Sequence, residues 1–229
     1  MFWIAMTYTL QYADVLRQLP YLATGAVLTL EIAFVSFWLG CLIGLAGALG
    51  KLHGGALTRR AIGLYVVVLT NTPALVQIFF LFYALPDAGI TLSPMAAVLI
   101  GLTLNSGAYL TDILRSGISS VRTSELETAE TLGMSRLQTV RYVILPHVAK
   151  TIYAPLCNFF IWLVLGSSIG SIFGVEELTG RAINISSANM RTIETFSVVA
   201  AMYVALTFVA SIALALTGRY AFRVKARIF

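Results

Sequence analysis

Residues 61–85 read AIGLYVVVLTNTPALVQIFFLFYAL, a run of twenty-five positions without a charge. A helix needs about 20 apolar residues to cross a bilayer. In lipid its backbone must satisfy its own hydrogen bonds, so a run of this kind is read as a transmembrane helix. Asn71, Thr72 and Pro73 interrupt it near the middle. Proline has no N–H, and the carbonyl it frees must find another partner or line a cavity. The triplet is therefore either a packed kink or a contribution to a central polar path.

Four further stretches have the same character. Residues 22–50 carry one charge, Glu31; residues 88–111 carry none, with Pro94 marking the helix start; residues 151–175 and 195–218 also carry none. The expectation is an all-α membrane protein forming one domain over residues 1–229. Its five spans lie at about 22–50, 61–85, 94–115, 151–175 and 195–218. Composition agrees: 59% of residues are hydrophobic, only 11% are charged, and the mean hydropathy is +0.88. Soluble domains average about 25% charged residues.

The charges between spans set an orientation. Lys51, Arg59, Arg60, Arg115, Arg122, Arg136, Arg141, Lys150, Arg219, Arg223, Lys225 and Arg227 fall on one side, twelve of the fifteen basic residues. Arg17, Arg181 and Arg191 fall on the other, among Asp14, Asp87, Glu176, Glu177 and Glu194. Basic loops stay in the cytoplasm, so the N-terminus is expected outside and the C-terminus inside. The same scattering argues against a nucleic-acid surface. Phe2, Trp3 and Ile4 follow no positive charge, and the first twenty residues read as an amphipathic lead-in rather than a signal peptide. Cys41 and Cys157 lie in apolar stretches and read as packing residues. An odd number of spans with no internal repeat does not make two inverted halves, which favours half of a dimeric pathway over a self-contained carrier.

The longest polar stretch, 112–150, contains the expected coupling loop at about 116–150. Ser124-Glu125-Leu126-Glu127 has the form of a capping box, and Ser135-Arg136-Leu137-Gln138 is a second. Gly133 offers a left-handed C-cap between them, and Pro146 marks where the second short helix must end or bend. The spacing predicts helix, glycine hinge, helix, either as an ordinary connector or as a unit that a partner grips.

The segment resembles the EAA loop of permeases from binding-protein-dependent ABC importers. Glu127, Thr128 and Ala129 are followed by Gly133, and nine residues later by Val143, Ile144, Leu145 and Pro146. Over roughly residues 20–222 the chain is similar to histidine/glutamine/glutamate-type amino-acid permeases. The likeness runs through Thr29-Leu30-Glu31, Thr72-Pro73, Leu75-Val76-Gln77, the turn 89–94, Ala108-Tyr109, Asp112, Arg115–Ile118 and Gly174–Leu178. Thr70 stands where that family often has arginine, and Leu165-Gly166 where it often has a lysine-aspartate pair.

The resemblance implies a type I ABC importer-like transmembrane domain in the bacterial cytoplasmic (inner) membrane. It implies a second permease subunit, identical or homologous, two cytoplasmic ATP-binding subunits holding ATP and Mg, and a periplasmic amino-acid-binding protein. Ser124, Glu127, Thr128, Ala129, Gly133, Leu145 and Pro146 would couple the chain to the ATPase. No G-x-x-x-x-G-K-[ST] loop occurs, so this chain is expected to bind no nucleotide and no other cofactor, and to be no enzyme.

Candidate path residues are Glu31, Asn71, Thr72, Pro73, Asn105, Tyr109, Ser167 and Ser168. Glu31 is charged within a span, which is costly and functional by default, although a hydrogen-bonded structural glutamate is the other reading. Asn105 and Tyr109 sit with Ser106 and Gly107 in a stretch that suits either helix packing or a path. Ser167 and Ser168 belong to a small-residue run that suits close contact or a gate. Asp112 and Arg115 are spaced for an ion pair. His53 and His147 show no metal or acid–base pattern and read as solvated loop residues. The rival function is an ion- or proton-coupled secondary amino-acid carrier with Glu31 as its proton site.

Overall fold

A computed structural model describes residues 8–221. Phe2, Trp3 and Ile4 of the lead-in, and Arg223, Lys225 and Arg227, lie outside them. All regular structure among the described residues is helical. After a short α1 (Ala13–Arg17), α2 runs over Leu19–His53. Its 35 residues span roughly 50 Å at 1.5 Å per residue, more than the hydrocarbon core of about 30 Å. α2 therefore tilts or projects beyond the lipid.

The partner of α2 is α5 (Pro94–Ser119), and glycine makes the contact. A Cβ on Gly40 would stand 2.6 Å from Ser106 Cβ, and one on Gly44 would stand 2.7 Å from Leu110 Cβ. Only residues without a side chain let the two backbones approach this closely. Gly40 faces Ser106 and Gly47 faces Thr111, so the two helices run parallel. The chain between them must return from one end of the bundle to the other. That return is made by α3 (Ala56–Thr70) and α4 (Ala74–Phe79), continued by a π turn (Phe80–Ala84) and a 3-10 turn (Leu85–Ala88). The two arms meet at 103°. The run 61–85 is thus a broken pair rather than one straight helix.

A second rod extends over Arg136–Phe173, 38 residues in all. It comprises α7 (Arg136–Thr139), a π turn (Val140–Ile144), α8 (Leu145–Gly166) and a 3-10 turn (Ser167–Phe173). The expectation that a short helix ends or bends at Pro146 before a separate span at 151 is corrected here. Pro146 falls in the first turn of α8, where a missing N–H is tolerated. The π turn before it widens the register at the carbonyls that Pro146 could neither bond nor clear. The rod runs antiparallel to α5: Gly117 meets Ile152, and Gly170 lies against Val98.

α9 (Leu178–Asn189) and α10 (Thr192–Ala221) complete the bundle. The main core gathers Ile32, Ala33, Ile78, Leu102, Leu163 and Phe173 from α2, α4, α5 and the second rod. Lys51, Asp112 and the loop α6 (Thr123–Thr131) mark one end, called here the basic end; Glu177 and Glu194 mark the far end. At the basic end Asp112 takes Lys51 Nζ at 3.0 Å and Arg115 Nε at 3.7 Å, so the expected pair is a triad joining α2 and α5.

Candidate functional site

The break at 71–73 ends the backbone ladder, with the Asn71 N–H on Val67 at 3.2 Å as its last bond. Side chains reach each of the carbonyls from Val66 to Thr70. Thr70 Oγ1 donates to the Val66 carbonyl at 2.8 Å, Asn71 Nδ2 to Val67 at 2.8 Å, and Thr72 Oγ1 to Val68 at 2.7 Å. The Leu69 carbonyl accepts from Gln77 Nε2 at 2.9 Å and from Asn105 Nδ2 at 3.1 Å. Thr70 accepts from the Tyr109 hydroxyl at 3.1 Å, and Gln77 Nε2 also donates to Thr72 at 2.9 Å. Pro73 then caps α4 in an extended conformation. Of the candidate path residues, Asn71, Thr72, Pro73, Asn105 and Tyr109 are therefore brought together. A cavity of about 360 Å³ opens beside them, lined in part by Leu69, Thr72, Gln77 and Gly101.

The remaining three lie elsewhere. Ser167 is buried and donates to Val164, while Ser168 donates to Leu165, each bonding within its own rod. Tyr109 links the break to this rod through an aromatic group, with ring centres 5.7 Å from Phe159 and 6.2 Å from Trp162. Glu31 is exposed on the subunit surface, and no described residue bonds it. A larger cavity of about 830 Å³ at the basic end is lined almost wholly by apolar groups and by none of the candidate path residues.

In the loop, α6 starts two residues earlier than its sequence suggests. Arg122 is the N-cap and no side chain caps the helix, so the expected box from Ser124 to Glu127 does not form. Ser124 instead lies inside the first turn, where its carbonyl accepts Thr128 Oγ1, and Glu125 anchors that turn to His147. The helix ends as expected at Gly133, with φ +71°. The Met134 N–H reaches the Ala129 carbonyl at 3.0 Å and the Gly133 N–H reaches Glu130 at 2.9 Å, the double closure that a left-handed residue permits. The second box, Ser135 with Gln138, is present in both directions. Ala129 is buried, whereas Glu127, Thr128, Leu145 and Pro146 face outward. Leu132, Leu137 and Tyr142 are also exposed, leaving an apolar surface around the loop.

A family model described as "Binding-protein-dependent transport system inner membrane component" matches residues 36–221. The chain belongs to that family. It is 34% identical over 195 residues to the glutamine transport system permease protein GlnP of Escherichia coli (strain K12), covering 84% of this chain and 89% of that one. It is 36% identical over 197 residues to the probable amino-acid ABC transporter permease protein YckA of Bacillus subtilis (strain 168), covering 86% and 87%. Among solved structures, a crystal structure of an amino acid ABC transporter with histidines superposes with a TM-score of 0.86 at 32% identity, covering 93% of this chain and 99% of that chain. An inward-facing MetNI methionine ABC transporter shares the fold, with a TM-score of 0.65 at 18% identity, covering 86% and 96%.

This family member holds polar groups that its sequence did not mark as site residues. Gln77 pins both sides of the break. Glu177, expected as an outside loop charge, is fully buried. It accepts from Thr29 Oγ1 at 3.0 Å, the Tyr203 hydroxyl at 2.9 Å and the Gly180 N–H at 3.0 Å, so α2, α9 and α10 meet on one carboxylate. Glu194 is equally buried and accepts from the Tyr8 hydroxyl, the Gln11 N–H and Arg191. The hydrogen bond to Glu194 pushes the Tyr8 phenol above its ordinary value. His147 is no solvated loop residue either: it contacts Ser120 as well as Glu125.

Proposed function

We propose that the chain is the transmembrane permease subunit of an ATP-driven ABC importer that carries polar amino acids across the bacterial cytoplasmic membrane. The observation that carries this reading is the loop at the basic end, a short exposed helix closed by Gly133 and followed by a capped rod, within a member of the inner membrane component family. The relatives that move glutamine or other amino acids support the substrate class.

The chain would form one five-span permease domain with its N-terminus outside. The parallel course of α2 and α5 supports counting the bent pair as one broken span, and the clustering of basic residues supports the orientation. A second permease subunit, a copy or a homologue, would complete the pathway. Cytoplasmic ATP-binding subunits would hold ATP and Mg, a periplasmic binding protein would deliver the amino acid, and this chain would perform no catalysis. Ser124, Glu127, Thr128, Ala129, Gly133, Leu145 and Pro146 would form the coupling surface. The path would draw on the pinned break of Asn71, Thr72 and Pro73, on Asn105 and Tyr109, on Ser167 and Ser168, and on Glu31 at the subunit surface. A nucleotide shifts such an equilibrium only through its differential affinity for the two conformations.

The test is uptake of radiolabelled glutamine, glutamate and histidine into vesicles holding this chain with its ATP-binding subunits and binding protein. Uptake that requires internal ATP supports the importer. Uptake that continues without the ATP-binding subunits and follows an ion gradient would show a secondary carrier instead.

A further inference from the structure

His147 stands where three elements meet. Its backbone lies in the first turn of α8. Its Nε2 is 3.2 Å from Ser120 Oγ at the C-cap of α5, and its Nδ1 is 3.5 Å from Glu125 Oε2 in the first turn of α6. Ser120 Oγ also donates to the Gly117 carbonyl at 2.7 Å, which fixes that hydroxyl to the end of α5. One rigid ring therefore bridges the two spans and the loop helix. Other ties on α6 are few. Ala129 is its single buried residue, and the helix as a whole packs on the π turn over Val140–Ile144. The His147 side chain is 30% exposed and that of Glu125 37%, so the bridge is partly shielded from water.

We infer that His147 is a positioning residue for energy coupling. It fixes α6 against the ends of α5 and α8, so a displacement of α6 by a bound subunit reaches both spans together. The inference rests on the importer reading given above. Without the bridge, α6 can follow its partner while the spans stay behind, and ATP is then hydrolysed without transport.

The complete complex, with its ATP-binding subunits and binding protein, is reconstituted in vesicles. Radiolabelled glutamine, glutamate and histidine moved per ATP hydrolysed is measured for wild type, His147→Ala, Glu125→Ala, the double variant and His147→Gln. Coupling energies between sites correspond to roughly 5- to 150-fold effects. His147→Ala is expected to lower the transport-to-ATP ratio at least about fivefold while hydrolysis continues. The double variant should be no worse than His147→Ala, because both changes cut one bridge. His147→Gln, which keeps a donor and an acceptor, should recover part of the ratio. A wild-type ratio in His147→Ala, or losses that multiply in the double variant, overturns the inference. If His147→Ala does not assemble, a wild-type ratio in Glu125→Ala overturns it equally. A wild-type complex that hydrolyses ATP and moves no amino acid defeats the importer reading, and the inference falls with it.

Discussion

The side-chain amide of Asn105 donates to the carbonyl of Leu69 at 3.1 Å, tying the middle of α5 to the broken end of α3. The same Leu69 carbonyl also accepts from Gln77, while the buried Asn105 Oδ1 has no donor among the described residues. These two facts rank the substitutions. Asn105→Ala removes one of the two donors to Leu69, a 3.3 Å bond to Gln77 Oε1 and an unpaired acceptor, so a loss of about 1 kcal/mol is expected from two interhelical bonds that average about 0.6 kcal/mol each. Gln77→Leu strips Thr72 and half-strips Leu69, and should cost about 1–3 kcal/mol. Melting in detergent should therefore fall further for Gln77→Leu; the reverse order would show that the break is not held by these bonds.

Gly44 and Gly63 differ in what lies beside them. A side chain on Gly44 drives into Leu110, whereas nothing lies within 4 Å of a Cβ on Gly63. Gly44→Leu is expected to separate α2 from α5 at a cost above the 1–3 kcal/mol usual for overpacking. Gly63→Ala, inside α3, should leave stability unchanged or raise it by up to about 1 kcal/mol. Thermal melts of the two variants check the contrast.

Gly133 has φ +71°, a region that costs an alanine about 1–2 kcal/mol. Proline cannot reach it and would also lose the N–H that bonds Glu130. Gly133→Ala should weaken coupling and Gly133→Pro abolish it, with membrane insertion intact in both. Normal amino-acid uptake by Gly133→Pro would remove the turn from the coupling route.

At the far end, Tyr203→Phe deletes the 2.9 Å bond to the buried Glu177 carboxylate. Hydrogen bonds to charged groups contribute about 1.5–3 kcal/mol, a fall of roughly 3–12 °C in Tm for a chain of this size. Tyr21→Phe loses two exposed contacts, 3.5 Å to Glu176 and 3.2 Å from Asn184, and should barely move the melt. Equal shifts in the two variants would contradict a special role for the buried carboxylate.

Glu31 bonds to no described residue, so Glu31→Gln should change stability by less than about 0.5 kcal/mol. As a path residue, it should still alter the rate or the substrate dependence of uptake. Unchanged kinetics in the assembled complex would remove it from the path.

Hydropathy was enough to find the helical stretches, because an uncharged run of this length has few other fates. Pro73 likewise announced a break. The 103° bend could not be read, since it depends on Gln77, Asn105 and Tyr109 reaching particular carbonyls across the fold. Glu177 and Glu194 read as loop charges for a related reason: their donors Thr29 and Tyr8 lie 148 and 186 residues away. Gly133 and Ser135 were legible because their bonds close within a few residues. Ser124 was not, since Glu125 is held by His147 and the helix begins at Thr123.

The pinned break also sets a problem of timing. Ribosomes deliver the chain in order, and Leu69 is made 36 residues before Asn105, Thr70 39 residues before Tyr109. A nascent chain that has reached the turn before α5 already carries the Asn71–Pro73 gap, with Gln77 as its one distant pin. The Thr70 carbonyl then has no hydroxyl to meet it. Until α5 follows, water or another polar group has to meet that carbonyl, so the break is complete only once Tyr109 has been made.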